Sequence, residues 1–448
     1  MNYANLLLLF GLGAIALSCS DELNLEPAQS ISEELALGTD ETLKAVLAGA
    51  YDQLSDGDLY GGNNLRDADL LGGTGELLFV GTFNSPDEIA RKRITTGNVD
   101  AEETWIESYE AINIANNVLS ALDVVDADDR SRVEGEARFV RAYAYFDLVR
   151  FYALPYEGGE TNDQLGVPLV LTPTREVGPD NDVSRATVEE VYDQVLTDLT
   201  TAVDLLPPTN GVRAGGLVAT ATLARVYLQM DRYEDALEAA NRVIESGSYS
   251  LTPTYAAAFM NESNSTEDIF AIQVTSQDGI NNLNTFYSIP AFGGRDGDIE
   301  ILPAHLALYD TTDARYQLFF ERSGATLTGK FNDQFANISL IRLAEMYLIR
   351  AEANERLGTE VGATPTEDIN RLRNRAGLDD LEEGEVDLEY ILEERRRELA
   401  FEGFRIHDIK RLGGSVGAFA FDADELVFPI PAREIVANPN LIQNPGYI

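Results

Sequence analysis

Gly324 to Lys330 reads GATLTGK, close to the loop of backbone amides and lysine that cradles nucleotide phosphates. Phe331 follows where a hydroxyl should hold magnesium, and the next helical pattern starts only near Ile338. The phosphate chemistry therefore lacks both its metal ligand and its helix. Gly413, Ser415 and Gly417 satisfy G-x-S-x-G, which activates a serine on a strand-to-helix elbow with the histidine later in the chain. Here the motif follows a helical pattern and both histidines, His305 and His407, precede the serine, so it reads as a loop. His407 and Asp408 are adjacent near a helix end, where a structural hydrogen bond is expected of them. No HExxH zinc pattern occurs, and no metal or cofactor is expected. Carboxylate pairs for glycosidic hydrolysis are available in any number among 76 acidic residues, so no one pair carries information.

Those 76 acids face 33 basic residues, for a formal net charge of −43. Lys44, Lys92, Lys330 and Lys410 are the only lysines. This balance opposes nucleic-acid binding, which needs a basic footprint. It reads instead as a solvated acidic surface that keeps the protein soluble at a cost in self-repulsion, as suits a saline habitat.

The amino terminus bears on compartment. Leu6 to Leu17 is an uncharged apolar run, shorter than the roughly 20 residues that span a bilayer. Residues 1–18 fit a removable export signal. Cys19, the single cysteine, stands directly after it as in a bacterial lipobox, where the thiol becomes the lipidated first residue. Acyl chains there would anchor residues 19–448 to a membrane. Ser20, Asp21 and Glu22 resemble the acidic signal that sends such lipoproteins to the outer face of the outer membrane. No disulfide can form within the chain, so packing must hold the fold.

The elements that would position a site are mainly helical. Trp105, Tyr109, Ile112, Asn116 and Leu119 share one face of a helix over 101–122. Val133, Ala137, Val140, Ala144, Leu148 and Phe151 do so over 132–152. Trp105 on such a stripe reads as core rather than as a sugar platform. Thr187 and Glu190 make a capping box for a helix that stops before Pro207 and Pro208. Ala219 to Gly247 carries small Ala221, Ala224, Ala236 and Ala240 around a tight turn, resembling a tetratricopeptide helix pair. A second pair is predicted over Ile338–Gly358 and Thr366–Ala376, the latter capped by Thr364 and Glu367, and a closing helix over Leu388–Leu412. Arg395, Arg396 and Arg397 beside Glu393, Glu394 and Glu398 predict an ion-paired helix surface.

Residues 56–100, 153–186 and 250–337 break this pattern and are rich in Gly, Asn, Pro, Asp and Thr. Insertions this long in a compact protein are usually functional. Tyr60, Phe83, Phe286, Tyr287 and Phe292 punctuate them, which favours ordered loops over linkers.

Five segments now acquire a collective meaning. They are Trp105–Leu119 (WIESYEAINIANNVL), Glu136–Tyr156 (EARFVRAYAYFDLVRFYALPY), Arg342–Gly358 (RLAEMYLIRAEANERLG) with Ile369–Leu378 (INRLRNRAGL), Glu394–Arg411 (ERRRELAFEGFRIHDIKR) and Phe428–Tyr447 (FPIPAREIVANPNLIQNPGY). In this order they resemble the SusD/RagB family. The resemblance implies an all-α, tetratricopeptide-like scaffold with long irregular insertions and room for short strands, forming one domain over 19–448. It implies a non-catalytic nutrient-binding lipoprotein, a glycan or peptide ligand, and a SusC-like TonB-dependent transporter as partner. A tetratricopeptide adaptor would want a smooth concave groove in place of these insertions, and a secreted hydrolase would reveal itself by products from polysaccharides.

The ligand surface is expected in Asn281 to Asp298, NNLNTFYSIPAFGGRDGD, where aromatics lie among amides, glycines and charges. Tyr287 and Phe292 are expected to stack on apolar ring faces, and Asn282, Asn284 and Arg295 to supply donors. In an extended chain Phe286 and Tyr287 point opposite ways, and the hydroxyl favours Tyr287 for the wet side. Arg66 and Asp67, with Asp69, are expected to complete the site from the earlier insertion, by analogy of region with the family.

Overall fold

The computed structural model describes residues 33–447 apart from 176, 177, 179, 180 and 278. The expected signal and Cys19 lie outside the described residues. Helices dominate, and consecutive ones pack on one another. In chain order the main helices are α1 (Asp40–Leu54), α2 (Asn63–Gly72), α3 (Val99–Ser120), α4 (Ala127–Tyr152), α5 (Val188–Leu205) and α6 (Gly216–Gln229). They continue as α7 (Tyr233–Glu245), α8 (Asn282–Tyr287), α9 (Leu343–Leu357), α10 (Pro365–Arg375), α11 (Leu388–Glu398) and α12 (Arg405–Arg411). α1 packs on α3, α3 on α4, and so on through α7, which packs on α9; α9 then contacts α10 and α11. Among the described residues, no helix is long and apolar enough to cross a membrane.

Local signals explain the helix starts. Thr187 Oγ1 accepts from the Glu190 amide at 3.2 Å while Glu190 accepts from the Thr187 amide at 2.8 Å. Thr364 and Glu367 repeat this reciprocal cap at 3.1 and 2.9 Å. Each such cap is worth on the order of 1 kcal/mol. The helix pair α6–α7 forms as its small residues predict, with Ala221, Ala224, Ala236 and Ala240 all buried. α4 is the hub: from Phe139 to Tyr152 nearly every side chain is buried, as in a helix enclosed on all sides. Its Arg141 keeps a charge inside by donating to Asp198 of α5 at 2.8 Å from both Nε and Nη2. Trp105 is buried beside Tyr109 and Tyr152, ring centroids 4.9 and 5.0 Å away.

Short antiparallel strands tie the insertions to one another and to the start of α9. β1 (Leu77–Phe79) pairs with β3 (Ile299–Ile301), β2 (Asp268–Ile272) with β6 (Ile338–Arg342), and β4 (Phe319–Arg322) with β5 (Ala325–Thr328). The helix predicted from Ile338 therefore begins five residues late, because Ile338, Leu340 and Ile341 are taken up by a buried ladder with β2. The GATLTGK run is a hairpin: Ser323 and Gly324 turn at φ 54° and 92°, and β5 follows. Lys330 is buried and donates to Glu402 at 2.6 Å and to the Ala400 carbonyl at 2.7 Å.

The closing helix is divided. α11 ends at Glu398 and α12 starts at Arg405, with Phe401 at φ 65° and Gly403 at φ 80° between them. The break delivers Glu402 into a buried ionic cluster. Arg342 meets Glu267 at 2.5 Å, Glu398 at 3.1 Å and Glu402 at 2.7 Å. Arg315 meets Asp313 at 2.8 Å and Glu394 at 2.6 Å, and Arg375 bridges Glu267 and Glu398. Despite full burial, these guanidiniums hold the Glu398 carboxyl down at about 2. The arginine run is ion-paired, though largely beyond its own helix: Arg395 reaches Asp408, Arg396 reaches Glu76, and only Arg397 uses Glu393 and Glu394. Asp408 is thus spent on Arg395 and Arg411, and His407 packs on Phe151 without the expected bond to its neighbour.

Candidate functional site

The β1–β3 ladder decides which loops share a surface. Leu77 pairs with Ile301 and Phe79 with Ile299, and the Val80 amide donates to the Asp298 carbonyl at 2.8 Å. Residues 80–83 of the first insertion are thereby laid against residues 295–298 of the third.

A stack of cations and rings crosses this junction. The Arg295 guanidinium lies 4.4 Å from the Phe83 ring centre. Phe83 meets Phe286 edge-on at 5.8 Å, and the Arg66 guanidinium covers Phe286 at 4.1 Å. Arg295 is fixed by donating to Asp298 at 2.7 Å and to Thr82 Oγ1 at 3.0 Å. Phe83 is 48% exposed, so the outer end of the stack offers aromatic surface, methylene and N–H to solvent, and Phe292, 46% exposed, stands three residues before Arg295 in the chain. That combination suits a ligand with apolar ring faces and hydroxyl acceptors. Exposed Leu78 and Val80 border it.

The turn that presents Phe292 is tightly built. Asn281 caps α8 by accepting from the Leu283 and Asn284 amides. Asn284 donates to the carbonyls of Phe292 at 3.1 Å and Phe331 at 2.8 Å. Gly293 sits at φ 89°, and a Cβ on Gly294 would lie 2.4 Å from the Ser288 carbonyl carbon, so two glycines are required.

Several expected contact residues are placed elsewhere. Tyr287 is fully buried, its ring 5.3 Å from Phe331 and 5.7 Å from Phe401, so it cannot be a stacking platform on a wet surface. The chain there is helical, not extended, and both Phe286 and Tyr287 turn inward. The Tyr287 hydroxyl has no partner among the described residues, and burial raises its pKa well above the usual phenol value. Asn284 is a buried brace of the turn. Asn282 is spent on the Gly57 carbonyl at 3.1 Å and Asn63 Oδ1 at 3.2 Å.

The first insertion corrects the sequence reading more strongly. Instead of an ordered loop throughout, it contains α2, buried along its whole length. Arg66 lies at the inner end of the stack, pairing with Asp67 at 2.7 Å and Asp100 at 2.6 Å. Arg66 and Asp67 are therefore supports, not surface donors. Burial, with Asp67 close by, pushes the Asp100 carboxyl up to about 7. Asp69 accepts from the Gly403 amide at 2.9 Å, and burial lifts its carboxyl to about 7. Of the residues singled out, Phe292 and Arg295 reach the surface, and Phe83 joins them. Phe83 was visible as an aromatic in the first insertion, but the pairing that brings it to Arg295 was not.

Comparison with known proteins matches this architecture. Residues 23–228 match a family model described as SusD-like, starch-binding and associating with the outer membrane, and residues 316–425 match the SusD family model. SusD-like protein P2 of Formosa agariphila is 28% identical over 96% of this chain and 97% of its own. The starch-binding protein SusD of Bacteroides thetaiotaomicron is 35% identical over a shorter stretch, 25% of this chain and 22% of its own. A SusD superfamily protein of Bacteroides vulgatus, 25% identical, superposes with a TM-score of 0.81 over 92% of this chain and 99% of its own. Helical scaffold, strand-fastened insertions and sequence agree, and the chain belongs to the SusD/RagB family of carbohydrate-binding proteins.

Proposed function

We propose that this protein is a non-catalytic, surface-anchored lipoprotein that binds a glycan on the Phe83–Arg295–Phe292 surface and delivers it to a SusC-like TonB-dependent outer-membrane transporter. The observation that carries the binding reading is the exposed Phe83 ring with the Arg295 guanidinium over it, at the junction that β1 and β3 create, with exposed Phe292 three residues before Arg295 in the chain. The starch-binding description of the matching family model favours glycan over peptide. Phe83 and Phe292 would cover sugar ring faces, and Arg295, held by Asp298 and Thr82, would donate to hydroxyls. Residues 1–18 would be removed on export and Cys19 would carry the anchor, leaving one domain over 19–448.

A glycan array followed by calorimetry tests the binding reading. Phe83→Ala and Phe292→Ala should each weaken the ligand found by on the order of 1–3 kcal/mol, the scale of a lost apolar side-chain contact. Both residues are half exposed, so folding should be retained. A double variant of unchanged affinity would move the site elsewhere. Cys19→Ser should leave a folded protein that no longer sediments with outer membranes, and persistence there without the transporter would refute the anchor.

A further inference from the structure

A second feature lies away from the glycan surface, between α4, α5, α6 and α12. There a small cleft is lined by Arg150, Tyr192, Gln229, His407, Lys410 and Arg411, among others, with no carboxylate among the described lining residues. All six are buried or nearly so.

The carboxylates nearest this cleft are already committed, Glu352 also to Arg356 and Asp408 also to Arg395. Arg150 pairs with Asp147, and Arg411 with Glu352 at 2.7 Å and Asp408 at 2.8 Å. Lys410 has no ion-pair partner among the described residues. Its Nζ donates once, to the Arg150 carbonyl at 3.2 Å. An ammonium has three protons to place, and burying one without a counter-charge is costly.

Further polar groups face the cleft. Arg150 Nε is buried without an acceptor among the described residues. The Tyr192 hydroxyl, the Gln229 amide and the His407 ring form no hydrogen bond with other described residues. Burial and the adjacent Arg150 lower the Lys410 ammonium to about 7, and burial holds His407 neutral. Water in the cleft would satisfy donors but leave the lysine charge uncompensated.

We propose that this cleft is an internal site for a small inorganic anion, chloride in the first instance, held by Lys410 with help from Arg150, Tyr192 and Gln229. The ion fastens α12, through Lys410, to α4, through Arg150. It requires nothing of the glycan surface.

The test uses the full-length protein. Crystals soaked in sodium bromide should show an anomalous peak within hydrogen-bonding reach of Lys410 Nζ. In solution, the urea unfolding midpoint should lie higher in sodium chloride than in sodium gluconate at equal sodium, since gluconate is too large for the cleft while surface screening is the same. Lys410→Gln should abolish that difference. Coincident chloride and gluconate curves, a difference retained in Lys410→Gln, or no bromide beside Lys410 would each overturn the proposal. In those cases the cleft holds water around a neutral amine. Should Lys410→Gln fail to fold, the bromide soak of the unaltered protein decides.

Discussion

Asp69 is a buried carboxyl with a measurable cost. It forms no ion pair among the described residues; its partners are backbone amides, with Gly403 N–H at 2.9 Å. Burial raises it from 3.8 to about 7, with Lys330 opposing the rise and Glu402 adding to it. The sign follows from proton counting. Between these two values the folded protein holds a proton that the unfolded chain has lost, so stability falls as pH rises through that window. The loss amounts to about 1.7 kcal/mol near pH 5 and about 4 kcal/mol near pH 8, at about 1.36 kcal/mol per pKa unit. Asp69→Asn keeps a carbonyl oxygen for Gly403 and has no proton to lose. Its stability relative to the parent should therefore improve by about 2–3 kcal/mol between pH 5 and pH 8. Urea unfolding followed through Trp105, the single tryptophan and a buried one, measures this directly. A stability difference that is the same at both pH values would refute the reasoning, because it would mean that Asp69 has one charge state throughout.

The other predictions concern packing and charge. Arg342→Met should cost about 3–5 kcal/mol in urea unfolding, since it leaves Glu267, Glu398 and Glu402 without their shared cation; a cost near zero would mean that water reaches the cluster. Tyr287→Phe should be neutral or stabilising by up to about 1 kcal/mol, as its hydroxyl is buried without a partner, whereas Tyr287→Ala should cost about 3–5 kcal/mol. Equal losses for both would show that the hydroxyl is bonded. Thermal stability should rise from low salt to about 1 M in sodium gluconate as well as in sodium chloride, because screening shrinks to about 3 Å and relieves the repulsion behind the charge of −43. A flat melting temperature would show that this repulsion is already relieved, and would remove the case for a saline habitat.

What the sequence displays is what local rules govern. The caps at Thr187 and Thr364, the stripe through Trp105 and the small-residue pair at Ala219–Gly247 all depend on neighbours a few positions away. The helix α2 was hidden because NNLRDADLLG has no apolar period: some of its polar side chains find partners far along the chain, Asn63 in Asn282 and Asp69 in Gly403. Composition alone makes such a segment look like a loop. The same holds for the division of the closing helix, whose sequence is helical in propensity until Glu402 is required beside Lys330 and Arg342. Tyr287 misled for a related reason. Its hydroxyl argues for a wet position, but its ring fills space against Phe331 and Phe401, and burial of the ring outweighs one unmade hydrogen bond.

The distribution of arginine ties the scaffold to the proposed ligand. Many of these side chains are consumed inside: Arg66, Arg315, Arg342, Arg350 and Arg395 are among the largest fully buried groups, each beside carboxylates. Internal pairs cancel charge in place, so the excess of 43 negative charges remains to be distributed elsewhere on the chain. At the candidate surface Arg295 is itself compensated by Asp298 and held by Thr82. It can therefore orient an acceptor over the Phe83 edge without acting as a trap for anions. A polyanion approaching this protein would meet repulsion and find no uncompensated cation on the stack, whereas a neutral sugar loses nothing to the field and gains ring contact on Phe83 and Phe292. Under the proposed reading, the acidity that opposes nucleic acid also selects for neutral glycans.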